Sequence, residues 1–144
     1  EKSVYDLLPP DLRAVVWPVG RLDKDSCGLL LFTNDGEITQ RLTHPKFSHE
    51  KEYLVRYHGT LTPAIKTNLE RGVEIASGRT APCHIKIIKP GEALVVIHEG
   101  KKRQIRYMFS AGHCRVIFLQ RIREGQIKLG NLLAGKWLKL DSFK

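Results

Sequence analysis

Lys51-Glu52-Tyr53-Leu54-Val55-Arg56-Tyr57-His58 alternates in character along its length. Strand side chains point to opposite faces in turn, so Tyr53, Val55 and Tyr57 share one face and Glu52, Leu54 and Arg56 the other. The pattern predicts a strand. Downstream, Thr62-Pro63 offers an N-cap followed by proline at the first helical position, opening a helix that closes at Gly72. Residues 83–88 and 93–98 predict two more strands, joined at Pro90-Gly91. Ile105, Met108 and Phe109 mark one face of a helix over 102–111, capped by Gly112. Residues 115–123 read as a further strand and 137–140 as a last short one.

Upstream the pattern is more broken. Val4, Leu7, Leu8 and Leu12 have near-helical spacing, interrupted at Pro9-Pro10. Leu29-Leu30-Leu31-Phe32 is a short unbroken apolar run, which predicts a strand covered on both faces. Asn34-Asp35-Gly36 turns the chain, and 37–42 reads as a short helix stopped before Pro45. Hairpin-like connections outnumber long crossovers. The expected fold is therefore α+β, a mixed, mainly antiparallel sheet flanked by short helices.

A chain of 144 residues with 42% apolar content suits one compact domain, or two small lobes sharing a core, and argues against wholesale disorder. Lys and Arg number 24 against 15 Asp and Glu, a net charge of +9, which suggests a polyanionic partner. No apolar run approaches the roughly 20 residues of a membrane helix. The opening Glu1-Lys2-Ser3-Val4 does not read as a secretory signal. Three cysteines without CxxC spacing point to free thiols in a reducing, cytoplasmic setting. Cys83-His84 and His113-Cys114 are adjacent pairs, lacking the gap that lets two ligands reach one zinc ion, so no metal site is expected.

Three places invite chemistry. Gly20 and Gly28 bracket Arg21, Asp23, Lys24 and Asp25, where a carboxylate held beside a cation stays ionised as a nucleophile or base. The plainer alternative is a turn whose Asp and Ser side chains bond their own backbone. Lys101-Lys102-Arg103 stand at the start of the predicted helix, where the macrodipole disfavours each cation by roughly 0.3–1 kcal/mol. Such a cluster suits a phosphate or carboxylate partner, or is a solvated basic face. Arg103 and Arg106 share a side there, and Gln104 offers a polar edge. Tyr53, at the head of its strand, suits stacking on a base or is a half-buried sheet aromatic.

Gly20-Arg21-Leu22-Asp23, followed by Gly28-Leu29-Leu30-Leu31-Phe32-Thr33-Asn34-Asp35-Gly36, resembles the signature of pseudouridine synthases, specifically the branch that modifies ribosomal RNA. Lys51-Glu52-Tyr53-Leu54-Val55 resembles that family's second motif and Glu99-Gly100-Lys101-Lys102-Arg103-Gln104-Ile105-Arg106 its third, in the same order and spacing. The resemblance covers nearly the whole chain, and 130–140 is similar to the family's terminal segment. It implies a pseudouridine synthase catalytic domain over 1–144. The expectation is that this domain lacks its first strand and any N-terminal RNA-binding domain.

The resemblance also implies roles. Asp23 matches the catalytic aspartate, Tyr53 the tyrosine that packs on the flipped uracil, and Lys101 the cation paired with that aspartate, with Arg103 the alternative in another register. Ile105 matches an apolar residue of the base pocket, while Arg21, Gln104 and Arg106 join Arg103 as RNA-binding candidates. The family uses no metal or organic cofactor. The chemical path is open among attack at the sugar C1′, addition at uracil C6 and a glycal formed by proton abstraction. The expected partner is ribosomal RNA, the expected state a monomer. Lys24, Arg121 and Arg123 extend the candidate RNA surface, the two arginines sharing one strand face by their spacing of two. The alternatives are an RNA-binding scaffold or assembly factor without turnover, and a glycosidase using Asp23 and Asp25 as its carboxylate pair.

Overall fold

A computed structural model describes residues 3–47 and 49–140. In chain order its elements are α1 (Pro10–Arg13), β1 (Trp17–Val19), β2 (Cys27–Gly28), β3 (Leu31–Thr33), α2 (Gly36–Thr43) and β4 (Lys51–His58). There follow α3 (Pro63–Arg71), β5 (Glu74–Ile75), β6 (Gly78–Arg79), β7 (His84–Lys89), β8 (Glu92–Ile97), α4 (Gln104–Ala111), β9 (Arg115–Glu124) and β10 (Ile127–Lys128). A 3₁₀ turn over Val4–Leu7 ends before Pro9-Pro10, and α1 starts after it. Among the described residues no helix is long and apolar enough to cross a membrane.

The main sheet has six strands, running β10-β9-β4-β8-β7, with β2 joined to β9. Every pairing is antiparallel except β2 with β9, which is parallel. The fold is α+β with a mixed, mainly antiparallel sheet. Val55 and Tyr57 of β4, Ala93, Val95 and Ile97 of β8, and Leu119 of β9 supply the strand side of the core. Leu69 of α3 and Ile105, Met108 and Phe109 of α4 close it. Tyr57 meets Phe109 edge to face with ring centres 5.3 Å apart. Thr62 caps α3 through its hydroxyl, which accepts from Ile65 N at 3.2 Å, and Pro63 follows.

Four details depart from the sequence reading. The 29–32 run is not one buried strand. Leu29 donates to the Arg121 carbonyl at 2.8 Å beside β9, whereas Leu31–Thr33 pairs with β1 in a separate ribbon that leaves Leu30 and Phe32 partly exposed. Residues 137–140 form no strand, and Leu138 is 70% exposed. Trp137 and Leu140 are exposed as well, so no buried face holds this segment in a strand register. The sequence pattern does not mark the short hairpins β5–β6 and β9–β10.

Gly112 caps α4, donating to the carbonyls of Met108 and Phe109, but at φ −91° rather than in the left-handed region. Its missing side chain serves packing, because a Cβ there would stand 2.7 Å from Ile65 Cγ2 of α3.

Candidate active site

Asp23 is carried on the segment between β1 and β2, a turn in which Ser26 N donates to the Asp23 carbonyl at 3.0 Å. The segment is fastened at three points. Gly28, at φ +110°, presses its backbone against that of Arg121, and a Cβ there would overlap the Arg121 carbonyl oxygen. Arg121 Nε donates to the Leu29 carbonyl at 2.8 Å, and its Nη1 to the Arg21 carbonyl at 3.4 Å. Asp25 accepts from both terminal nitrogens of Arg103 at 3.0 Å each, and its carbonyl accepts from Arg106 at 2.8 Å. The Arg103 guanidinium holds the Asp25 carboxyl below its ordinary value.

Beside this segment lies a cleft of about 1020 Å³ into which separate stretches of chain converge, the end of α2 at Leu42 and Thr43 among them. Arg21 and Asp23 come from the turn, Tyr53 from β4, Lys101, Arg103, Gln104 and Ile105 from the α4 entrance, and Arg121 from β9. Arg106 and Asp25 do not line it. The Asp23 carboxylate accepts no hydrogen bond among the described residues, and it lies within electrostatic reach of Tyr53 and Arg103. Burial pushes the Tyr53 hydroxyl up, while the neighbouring Arg121 opposes the shift. Ile105, 3% exposed, joins the cleft wall to the core.

Lys101 and Gln104 are engaged elsewhere. Lys101 Nζ lies 3.8 Å from Glu99 Oε1, and among the described residues no ion pair links it to Asp23. Gln104 is buried, donating to Glu99 Oε2 at 2.9 Å and accepting from Lys101 N at 3.3 Å. Its amide braces the 99–104 turn rather than presenting a free polar edge. Arg103 takes a left-handed backbone, φ 51°, as the N-cap of α4. The basic run therefore precedes the helix instead of forming its first turn.

Arg121 departs most from expectation. It is 2% exposed and faces the cleft, not a solvent surface. A register shift between Glu52 and Tyr53 pairs Glu52 with Arg123 but Tyr53 with Arg121, so β9 carries an extra residue at Ile122. A bulge of this kind breaks the period of two. Arg121 and Arg123 consequently do not share a face. Arg121 and Glu124 do, 3.6 Å apart and both 2% exposed. Burial pushes the Glu124 carboxyl up against the pull of Arg121 and Lys51, and pushes the Lys51 ammonium down. Arg121 Nη2 is buried without a hydrogen-bond partner among the described residues. Arg123 is tied to Glu52 at 2.8 Å, the Gly125 carbonyl at 2.7 Å and Glu50 at 3.4 Å, a strand-end clasp. The signal that finds Arg121 is a cation two residues after the buried Leu119, in the inward phase of a strand.

Cys83 donates weakly to the Leu69 carbonyl, and burial pushes its thiol up to about 11. Cys114 is buried in the main core.

A single open carboxylate in a cleft with a basic rim and an apolar wall defines the class: a site suited to nucleophilic or acid–base work on an anionic substrate. The comparisons make this specific. The RNA pseudouridylate synthase profile matches residues 1–111, and the chain belongs to that family. It is 42% identical over 148 residues to the ribosomal large subunit pseudouridine synthase B of Escherichia coli K12, covering 96% of this chain and 50% of that protein. With the enzyme of the same name from Vibrio vulnificus the identity is 40% over 147 residues, covering 97% and 45%. The chain thus spans about half the length of these curated relatives. A crystal structure of a pseudouridylate synthase superposes with a TM-score of 0.88 at 29% identity, covering 93% of this chain and 60% of that one. An archaeal Nop10–Cbf5 box H/ACA complex shares the fold alone, at TM-score 0.55 and 20% identity.

Proposed function

We propose that this chain isomerises uridine in ribosomal RNA to pseudouridine, with Asp23 as the nucleophile or base. The bond from C1′ to uracil N1 breaks, the ring turns, C5 joins C1′, the proton on C5 is lost to solvent, and N1 takes up a proton. A base inside folded RNA is out of reach, so the uridine is flipped into the cleft. The observation that carries the reading is the meeting of Asp23, Tyr53, Ile105 and Arg121, from four separate segments, in one cleft.

Each residue has work there. Tyr53 gives a flat face for uracil and Ile105 a dry wall. Arg121 holds the Asp23 segment through the Leu29 and Arg21 carbonyls and brings a buried positive charge near the reacting carboxylate. Arg21, Lys101 and Arg103 form a basic rim suited to flanking phosphates. The glycosidase reading is disfavoured, since Asp25 is held by Arg103 outside the cleft. The reading is completed by a monomeric state and a cytoplasmic setting, where a ribosomal substrate is met.

Tritium release from ribosomal RNA labelled at uridine C5 tests the proposal. Release by the wild type, falling to background for Asp23→Asn and retained by Asp25→Asn, is the expected result. Intact RNA binding without release from the wild type would instead make the chain a scaffold.

A further inference from the structure

A second concavity, of about 610 Å³, is lined by Arg103, Arg106, His58, His113 and Arg115, and none of its lining residues is a carboxylate. Arg103 lines both this concavity and the Asp23 cleft, so the two adjoin. Asp25 is already committed to Arg103 and Arg106.

We propose that this groove binds the phosphodiester backbone of the RNA strand running out of the cleft, with Arg115, His58 and His113 as its donors. Two observations carry this. The Arg115 side chain is exposed and makes no hydrogen bond or ion pair among the described residues, yet it stands directly opposite His58 in the β4–β9 register. A cross-strand pair with no opposite charge adds little to the sheet, so stability does not explain it. Secondly, Arg103 takes a left-handed backbone (φ 51°) at the entrance of α4 and lines this groove, whereas the left-handed His113 (φ 63°) is accounted for by the helix stop, its N–H donating to Ser110 and that of Cys114 to Phe109. Strained backbone persists where the surroundings impose it and gathers at functional sites.

Clustered guanidinium and imidazole donors suit phosphate oxygens. Continuity with the cleft through Arg103 favours a polymer over a free anion. The inference rests on the synthase reading only for the identity of the strand.

The test is filter binding of poly(A), which contains no uridine, together with tritium release from ribosomal RNA. The groove variant is Arg115→Gln with His58→Gln. The control is Lys86→Gln on the exposed β7 edge, which removes the same formal charge. Loss of about tenfold in poly(A) affinity for the groove variant, with the salt slope lower by about one and the control within about twofold of wild type, is expected. Release should then show raised KM at unchanged kcat. Groove-variant affinity within about twofold of wild type, or an equal loss in the control, overturns the groove. If the wild type binds poly(A) but releases no tritium, the synthase reading fails while the binding arm still decides the groove by the same criteria.

Discussion

The two parts of the molecule that meet at the cleft are built very differently. The sheet with α3 and α4 holds thirteen buried residues in one cluster. The N-terminal part, which carries Asp23, has a separate cluster of three, Val19, Leu29 and Leu31, and its helix α2 buries no residue at all. Tyr53, Ile105 and Arg121 thus stand on a rigid frame, whereas Asp23 rides on a lightly packed segment. Few buried contacts mean low local stability, so Asp23 is positioned less by burial than by its fastenings at Arg121, Gly28 and Asp25. Loosening each in turn shows how far the two parts depend on one another.

Arg121 is the fastening with the largest expected effect. Arg121→Met removes the donors to Leu29 and Arg21 and leaves Glu124 a buried carboxylate with only Lys51 to offset it. Breaking one side of a buried pair costs about 3–5 kcal/mol, which urea denaturation will read as a fall in midpoint. Combining it with Glu124→Met should restore most of that stability. Tritium release should stay abolished in the double variant, because the Asp23 segment is still untied. Recovery of release with stability would show that Arg121 serves the frame alone.

Gly28→Ala comes next. It places a methyl group on the Arg121 carbonyl at a φ that L-residues avoid, at a cost of about 2–4 kcal/mol from strain and overpacking together. The contrast between the two parts predicts where the cost falls. Hydrogen exchange should quicken at residues 19–31 while protection at Val55 and Val95 is retained. Uniform loss across both would mean that the two parts unfold as one unit.

What could be read from the sequence divides along the same line. Within the frame, β4, α3 and α4 follow from residue periodicity and from Thr62-Pro63, because their environments are regular over several residues. In the lighter part periodicity misleads. Leu29-Leu30-Leu31-Phe32 looks uniform, but Leu29 answers to β9 and Leu31 to β1, a division set by tertiary partners and not by local character. β5, β6 and β10 have two residues each, too few to carry a period. The bulge at Ile122 is invisible in the sequence, so Arg121 and Arg123 look alike although only the first of them is buried. Asp23 and Tyr53 were marked by their settings and motifs, and the structure brings both into one cleft. Which acid Lys101 would meet was not encoded in its neighbours, and the structure pairs it with Glu99.

The Asp25 fastening has the smallest expected effect and depends on pH. Hydrogen bonding from Arg103 lowers the Asp25 pKa in the folded chain. A carboxylate lowered by folding contributes its stability above the unfolded value, near 4, and loses it as pH falls through the folded one. The difference in thermal midpoint between wild type and Asp25→Asn should therefore be constant at neutral pH and shrink towards zero below about pH 4. It should reach a few degrees at most, since the pair is open to solvent. Tritium release near neutrality should fall only about two- to fivefold, because Gly28 and Arg121 still hold the segment. A midpoint difference that does not vary with pH would show the Arg103 contact to be idle, leaving the β9 contacts alone to place Asp23.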